Sequence, residues 1–239
     1  MEKALEYLEK NKLKNIVILE VLRRGSGNII MEDDNGVLIF DEGSSAYMMT
    51  CKDIETAKRI IELIPKEASL IVAHEEFYIK LLQEKFNICD IVECNNAVYM
   101  KDEKIIDLDD ERTSMIKIKI LNKEHIEEVE KLYSELQLVG DGYIKNRIMN
   151  KEIIGAFIDN NLVGFIGFHE EGSMGMLEIK KEYRRRGIGK LLEKNMINYA
   201  LERGKYPYGQ VIVGNEKSLQ LQKSLGLEIS NETVFWLNT

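Results

Sequence analysis

The chain has 239 residues, 44% hydrophobic and 31% charged, a composition that folds and can fill one large core or two small ones. A formal net charge of -8 argues against nucleic acid as a partner, since binders of a phosphate backbone usually carry a basic face. Met1-Glu2-Lys3-Ala4-Leu5-Glu6 has no apolar leader, and no apolar run approaches the roughly 20 residues of a spanning helix. The expectation is therefore a cytoplasmic protein without membrane contact. Cys51, Cys89 and Cys94 have no zinc-like spacing and read as reduced thiols; with His74, His125 and His169 scattered, no metal site is expected.

In chain order, helices are predicted over 2–10 and 12–23. Strands follow at Asn28 to Met31, Val37 to Phe40 and Ala46 to Thr50. Asp34-Asn35-Gly36 is a hairpin signal, because Asn-Gly tolerates positive φ. Asp53 can cap a helix over 54–64 with Ile54, Ala57, Ile60, Ile61 and Ile64 on one stripe. A strand at Ser69 to Ala73, a helix at His74 to Lys85 and a strand at Asp90 to Met100 complete a small α+β domain, residues 1–110. Gly25-Ser26-Gly27 is read as a turn, since Ile30 replaces the third glycine of a dinucleotide loop. The charged run from Lys101 to Arg112 cannot bury itself and reads as a surface joint.

The second domain, 113–239, starts with a strand at Met115 to Ile120 and a helix over 123–137 capped by Asn122, then a helix over 142–150. Ile153 to Ile158 and Leu162 to His169 flank a turn at Asp159-Asn160-Asn161. A strand over Gly172 to Lys180 leads to a helix over Gly187 to Arg203, which Gly204 ends. Gln210 to Val213, a helix over Asn215 to Leu225 and Val234 to Leu237 close the chain. The fold class is α+β with a mixed sheet.

The chemistry-bearing feature is a strand, a basic turn, two glycines and a helix. A helix start presents unpaired N–H groups and partial positive charge. Gly187 and Gly189 leave those amides uncovered, and Arg184, Arg185 and Arg186 add charge, so the stretch reads as a pyrophosphate cradle. Leu191 after Gly189-Lys190 excludes a Walker loop, and a third glycine for a Rossmann loop is missing.

Tyr183-Arg184-Arg185-Arg186-Gly187-Ile188-Gly189 resembles motif A of the GNAT superfamily of acyltransferases, Arg/Gln-x-x-Gly-x-Gly/Ala. The strand Met176-Leu177-Glu178-Ile179 before it, and Asn215, Ser218, Leu221 and Gly226-Leu227 after it, sit where motifs A and B of that family place them. The resemblance covers about residues 115–239. It implies that the amides from Arg185 to Lys190, through Ile188, hold the pyrophosphate of acetyl-CoA or coenzyme A, and that Leu177, Glu178 and Ile179 line the pantetheine arm. It also implies a domain that moves an acyl group to a small-molecule or peptide amine. Asn215 reads equally as a helix N-cap.

Acylating an amine requires removal of a proton, and protonating the departing thiolate helps. Glu178, on the strand and on the same face as Met176, is the first candidate for the base, with His169, Glu170 and Glu171 as rivals. Many GNAT enzymes place an acidic tyrosine one residue after the motif B leucine; here Gln222 follows Leu221. An amide can hydrogen-bond sulfur but donates no useful proton. Tyr206 or Tyr208 could replace it, or the domain could bind acyl-CoA without catalysis. The order of elements in the first half is similar to glycine N-acyltransferase-like proteins, which carry a degenerate GNAT-like half before the active one. The sequence leaves the acceptor and the oligomeric state open, a homodimer included.

Overall fold

The computed structural model describes residues 1–106 and 113–239; residues 107–112 of the predicted joint lie outside them. The chain forms an α+β fold built on mixed β-pairing. It divides into two compact units: residues 1–99, 170–172 and 208–239 form the first, residues 100–169 and 173–207 the second. The units thus do not follow the chain-order halves 1–110 and 113–239 read from sequence.

The first unit opens with α1 (Glu2–Glu9) and α2 (Lys12–Arg24). The Asn11 side chain accepts the Lys14 N–H at the start of α2, and Gly25, at φ 75°, ends it in the left-handed conformation, so the Gly25-Ser26-Gly27 stretch is a helix stop. Strands β1 (Gly27–Asp33), β2 (Gly36–Asp41) and β3 (Ala46–Cys51) form an antiparallel meander. The β1–β2 hairpin is where sequence put it, by a different mechanism. Gly36 is paired with Asp33 inside the ladder, and the Asp33 carboxylate accepts the Asn35 N–H across the turn. Gly36 answers to close approach: a Cβ there would lie 2.9 Å from both Cys51 Cβ and Thr50 O.

Asp53 caps α3 (Ile54–Leu63) by accepting the Thr56 N–H. Ala57, Ile60, Ile61 and Ile64 are buried as expected, whereas Ile54, in the first turn, is exposed. β4 (Leu70–Ala73) pairs in parallel with β3. The helix predicted from His74 begins only after a 3-10 turn, as α4 (Ile79–Lys85). The Tyr78 hydroxyl accepts the His74 N–H and donates to Met49 O, which holds this stretch against β3. β5 (Asp90–Val98), β10 (Tyr208–Ile212), α8 (Glu216–Ser224) and β11 (Glu228–Asn238) complete the unit. The strand order is β1-β2-β3-β4-β11-β5-β10, so the last strand of the chain lies between β4 and β5. Phe235 and Leu237 enter the core beside Leu38, Met49, Ile71 and Leu82.

The second unit contains β6 (Lys117–Ile120), α5 (Ile126–Leu132), α6 (Tyr143–Met149), β7 (Ile153–Ile158), β8 (Asn161–Phe168), β9 (Met174–Ile179) and α7 (Ile188–Glu202). Its sheet is antiparallel in the order β9-β8-β7-β6. Asp159 and Asn160, at φ 50° and 64°, make the two-residue turn whose twist suits a hairpin. The helix predicted over 123–137 is shorter. Asn122 caps a 3-10 turn that leads into α5, and the chain turns extended at Tyr133. One face of the sheet packs on α5 and α6 through Val129, Tyr133, Ile144, Phe165 and Met176. α7 packs on β7, β8 and β9, burying Ile188, Leu192, Met196 and Ala200, and ends near Gly204 at φ 63°. The described part of the joint is fastened to α7: Ile105 and Asn198 exchange two hydrogen bonds, and Lys104 pairs with Glu202 at 2.7 Å.

Candidate cofactor and catalytic site

β9 is irregular where the site begins. Phe165 faces Glu178 and Gly167 faces Gly175, so Met176 and Leu177 together oppose the single residue Ile166. Met176 takes φ 58°, a conformation that β-strand residues with side chains avoid. This is a β-bulge, which bends a strand and leaves part of its ladder unpaired. Its side chain stays in the core beside Phe165, the residue opposite Glu178, so Met176 and Glu178 share a face as expected.

After β9 a 3-10 turn over Lys181–Tyr183 leads into the basic loop. Arg184 is extended (φ -65°, ψ 158°), Arg185 is left-handed at φ 64°, and Gly187 is left-handed again at φ 82° before α7 starts. A left-handed Gly187 followed by the right-handed helical Ile188 turns successive N–H groups to one side, the local geometry of an anion nest. Among the described residues no side chain caps α7, and the first helix-closing bond from this start is Leu191 N–H to Gly187 O. The amides of Ile188, Gly189 and Lys190 therefore precede the hydrogen-bonded helix, at its positive end.

The two glycines do different jobs. Gly187 supplies the positive φ. Gly189 faces the strand: a Cβ there would lie 3.3 Å from Ile179 Cδ1 and 3.8 Å from Leu177 Cδ2. Its smallness thus seats the helix start on β9. The arginines divide similarly. Arg184 Nε donates to Ile179 O at 2.9 Å, and Arg186 donates to Glu182 O at 2.9 Å with its guanidinium over the Tyr183 ring. Both brace the loop, while Arg185 and Lys190 are exposed.

Glu178 is largely covered. One carboxylate oxygen accepts the Ser134 N–H at 3.0 Å, and the other lies 3.9 Å from Arg184 Nη2. It ties the chain after α5 to β9. At the opposite end of β9, His169 Nδ1 lies 2.8 Å from the Tyr143 hydroxyl. Sequence reading named His169 as a rival base and missed Tyr143, because their contact spans 26 residues and two element types.

Asn215, Ser218 and Gln222 belong to the first unit. Asn215 caps α8 by accepting the Ser218 N–H at 3.2 Å, and Gln222 is the buried residue of that helix. Tyr208 cannot serve as the acid proposed from sequence. It is fully buried, its hydroxyl donates to Glu171 O, and burial, reinforced by the Glu171 charge, pushes its pKa well above the ordinary value.

Residues 118–227 match the model of the acetyltransferase (GNAT) family. This segment is a GNAT domain. The match runs from β6 to just past α8 and so includes the bulged strand, the nest and the α8 start. Solved structures agree in fold. A Drosophila protein aligns over 100% of this chain and 95% of its own at TM-score 0.69 and 14% identity. A GCN5-related N-acetyltransferase-like protein from Streptococcus suis covers 99% and 100%, at TM-score 0.56 and 16% identity. A GCN5-related N-acetyltransferase from Kribbella flavida covers 95% of both chains, at 0.58 and 14%. The comparison with curated proteins finds no match. Among the described residues no helix is long and apolar enough to cross a membrane, and no three metal-ligating side chains cluster.

Proposed function

We propose that the GNAT domain transfers an acetyl or other short acyl group from acyl-CoA to a primary amine of a small molecule or peptide, by direct attack in a ternary complex. The observation that carries this reading is the uncapped, left-handed-then-helical start of α7 directly behind a bulged β9. The amides from Arg185 to Lys190 hold the pyrophosphate, with Arg185 and Lys190 supplying exposed positive charge in a chain of net charge -8. The stretch Leu177 to Ile179, from the bulge onward, offers backbone groups to the pantetheine arm. Acyl-CoA supplies the activated thioester. Gln222 stands at the sequence position of the family's acid and has no proton to give, which leaves Tyr206 as the tyrosine candidate or a thiolate that departs unprotonated.

The test is incubation with acetyl-CoA and a panel of amines, following thiol release, alongside calorimetric titration with coenzyme A. Micromolar binding with amine-dependent release is expected. Gln222 and the sealed Tyr208 favour a second reading, a non-catalytic acyl-CoA-binding regulator. Tight binding with no release on any amine would select it. No binding at all would sink both.

A further inference from the structure

β9 leads away from the nest. The five steps from Lys180 back to Gly175 cover at most about 16 Å, shortened by the bulge at Met176 and Leu177, which is still on the scale of a pantetheine arm. With the pyrophosphate at the start of α7, the thioester therefore arrives abreast of Gly175. The group set over Gly175 is the His169 imidazole: a Cβ on Gly175 would collide with His169 Nε2 and lie 2.7 Å from Cδ2. The backbone of His169 is fixed by its N–H to Ser173 O at 2.9 Å and by Arg147 Nη1 on its carbonyl at 3.4 Å. Its ring is held from the other side by the Tyr143 hydroxyl, 2.8 Å from Nδ1, and the Arg147 guanidinium lies 6.0 Å from the Tyr143 ring. His169 remains partly exposed. Glu178, by contrast, already has one oxygen on the Ser134 amide and the other near Arg184.

We propose that His169 is the general base of the transfer, with Tyr143 and Gly175 as its positioning residues; this rests on the acyl-CoA reading above. Tyr143 accepts Nδ1–H, which leaves the Nε2 lone pair for substrate. Nε2 takes a proton from the amine as the new C–N bond forms. The C–S bond breaks, its electron pair leaves on sulfur as thiolate, and the imidazolium returns its proton to solvent. Glu178 is the strut that holds the chain after α5 to the cofactor strand.

The experiment measures kcat/KM against pH on the full chain, with acetyl-CoA and the best amine of the panel. Wild type shows an acid limb, where protonation of the base removes activity. His169→Gln loses that limb and falls roughly 10²–10⁴-fold, with acetyl-CoA affinity within about threefold of wild type. Gly175→Ala gives the same signature, because its methyl displaces the ring. Tyr143→Phe loses less rate and moves the limb, and Glu178→Gln keeps it. If His169→Gln keeps the limb and a rate within about threefold of wild type, the assignment is overturned while the acyltransferase reading stands. Acetyl-CoA binding without turnover by the wild-type protein would overturn this assignment together with catalysis, and no binding would remove the cofactor reading itself.

Discussion

His74 is 1% exposed between β4 and the turn that leads to α4, and burial, reinforced by the nearby Lys14 charge, pushes its pKa down to about 3. Beside it the Glu75 carboxylate pairs with Lys14, accepts the Thr50 hydroxyl at 2.7 Å and accepts the Cys51 N–H at 3.1 Å. Burial first, then the Glu75 charge, pushes the Cys51 thiol up to about 12, so it is an inert core sulfur. The linkage is one-directional. Above about pH 6.5 His74 is neutral in both folded and unfolded chains and contributes nothing. Below that, the unfolded chain takes up a proton that the folded one refuses until about pH 3, so stability falls by about 1.4 kcal/mol per unit through that window. His74→Leu removes this titration. Denaturant midpoints at pH 7 and pH 5 should show the wild type losing about 2 kcal/mol more than the variant on acidification; equal losses would mean His74 can be protonated where it sits. Nothing local announces this residue. Caps such as Asp53, Asn122 and Asn215 are legible because side chain and amide lie within three residues of each other. The charge that reinforces the shift of His74 comes from Lys14, sixty positions away.

The same distinction holds for elements. The β7–β8 turn and the ends of α7 were readable because Asp159-Asn160, Gly187 and Gly204 state their backbone needs locally. The bulge in β9 was not, since Met176 is an ordinary strand residue and the extra position exists only relative to β8. The early end of α5 was hidden for a related reason: the Ser134 amide is taken by Glu178 from another strand. The nest itself can be tested against its own helix. Gly187→Val puts a β-branched residue at φ 82°, which costs roughly 1–2 kcal/mol, and crowds the amides of the helix start. Gly204→Val imposes similar strain at φ 63°, past the far end of the same helix. Both should lower the thermal midpoint by a few degrees. Only Gly187→Val should weaken coenzyme A binding, by tenfold or more in calorimetric titration. If both variants bind like wild type, the loop does not hold the cofactor.

At the scale of the whole molecule, the charged run after Met100 looks like a place to divide the chain, and the strand order says otherwise. β11 is hydrogen-bonded to β4 on one side, from Phe235–Ala73 to Asn238–Leu70, and to β5 on the other, from Glu228–Val98 to Asn238–Asp90. β10 covers the remaining edge of β5. The core of the first unit also takes Phe235 and Leu237 from the C-terminus. Composition and periodicity could place every one of these strands, but not this order, because pairing between segments some 140 residues apart leaves no local mark. A fragment of residues 1–110 would therefore expose both edges of an open gap between β4 and β5 and leave a cavity where two large side chains belong. It should lack cooperative melting by circular dichroism and give a poorly dispersed amide spectrum. Co-expression with residues 113–239 should restore a soluble, cooperatively melting complex, since that piece carries β10 and β11. A fragment of residues 1–110 that melts cooperatively alone would show that β4 and β5 close on each other without the C-terminal strand, and the two halves would then be separable after all.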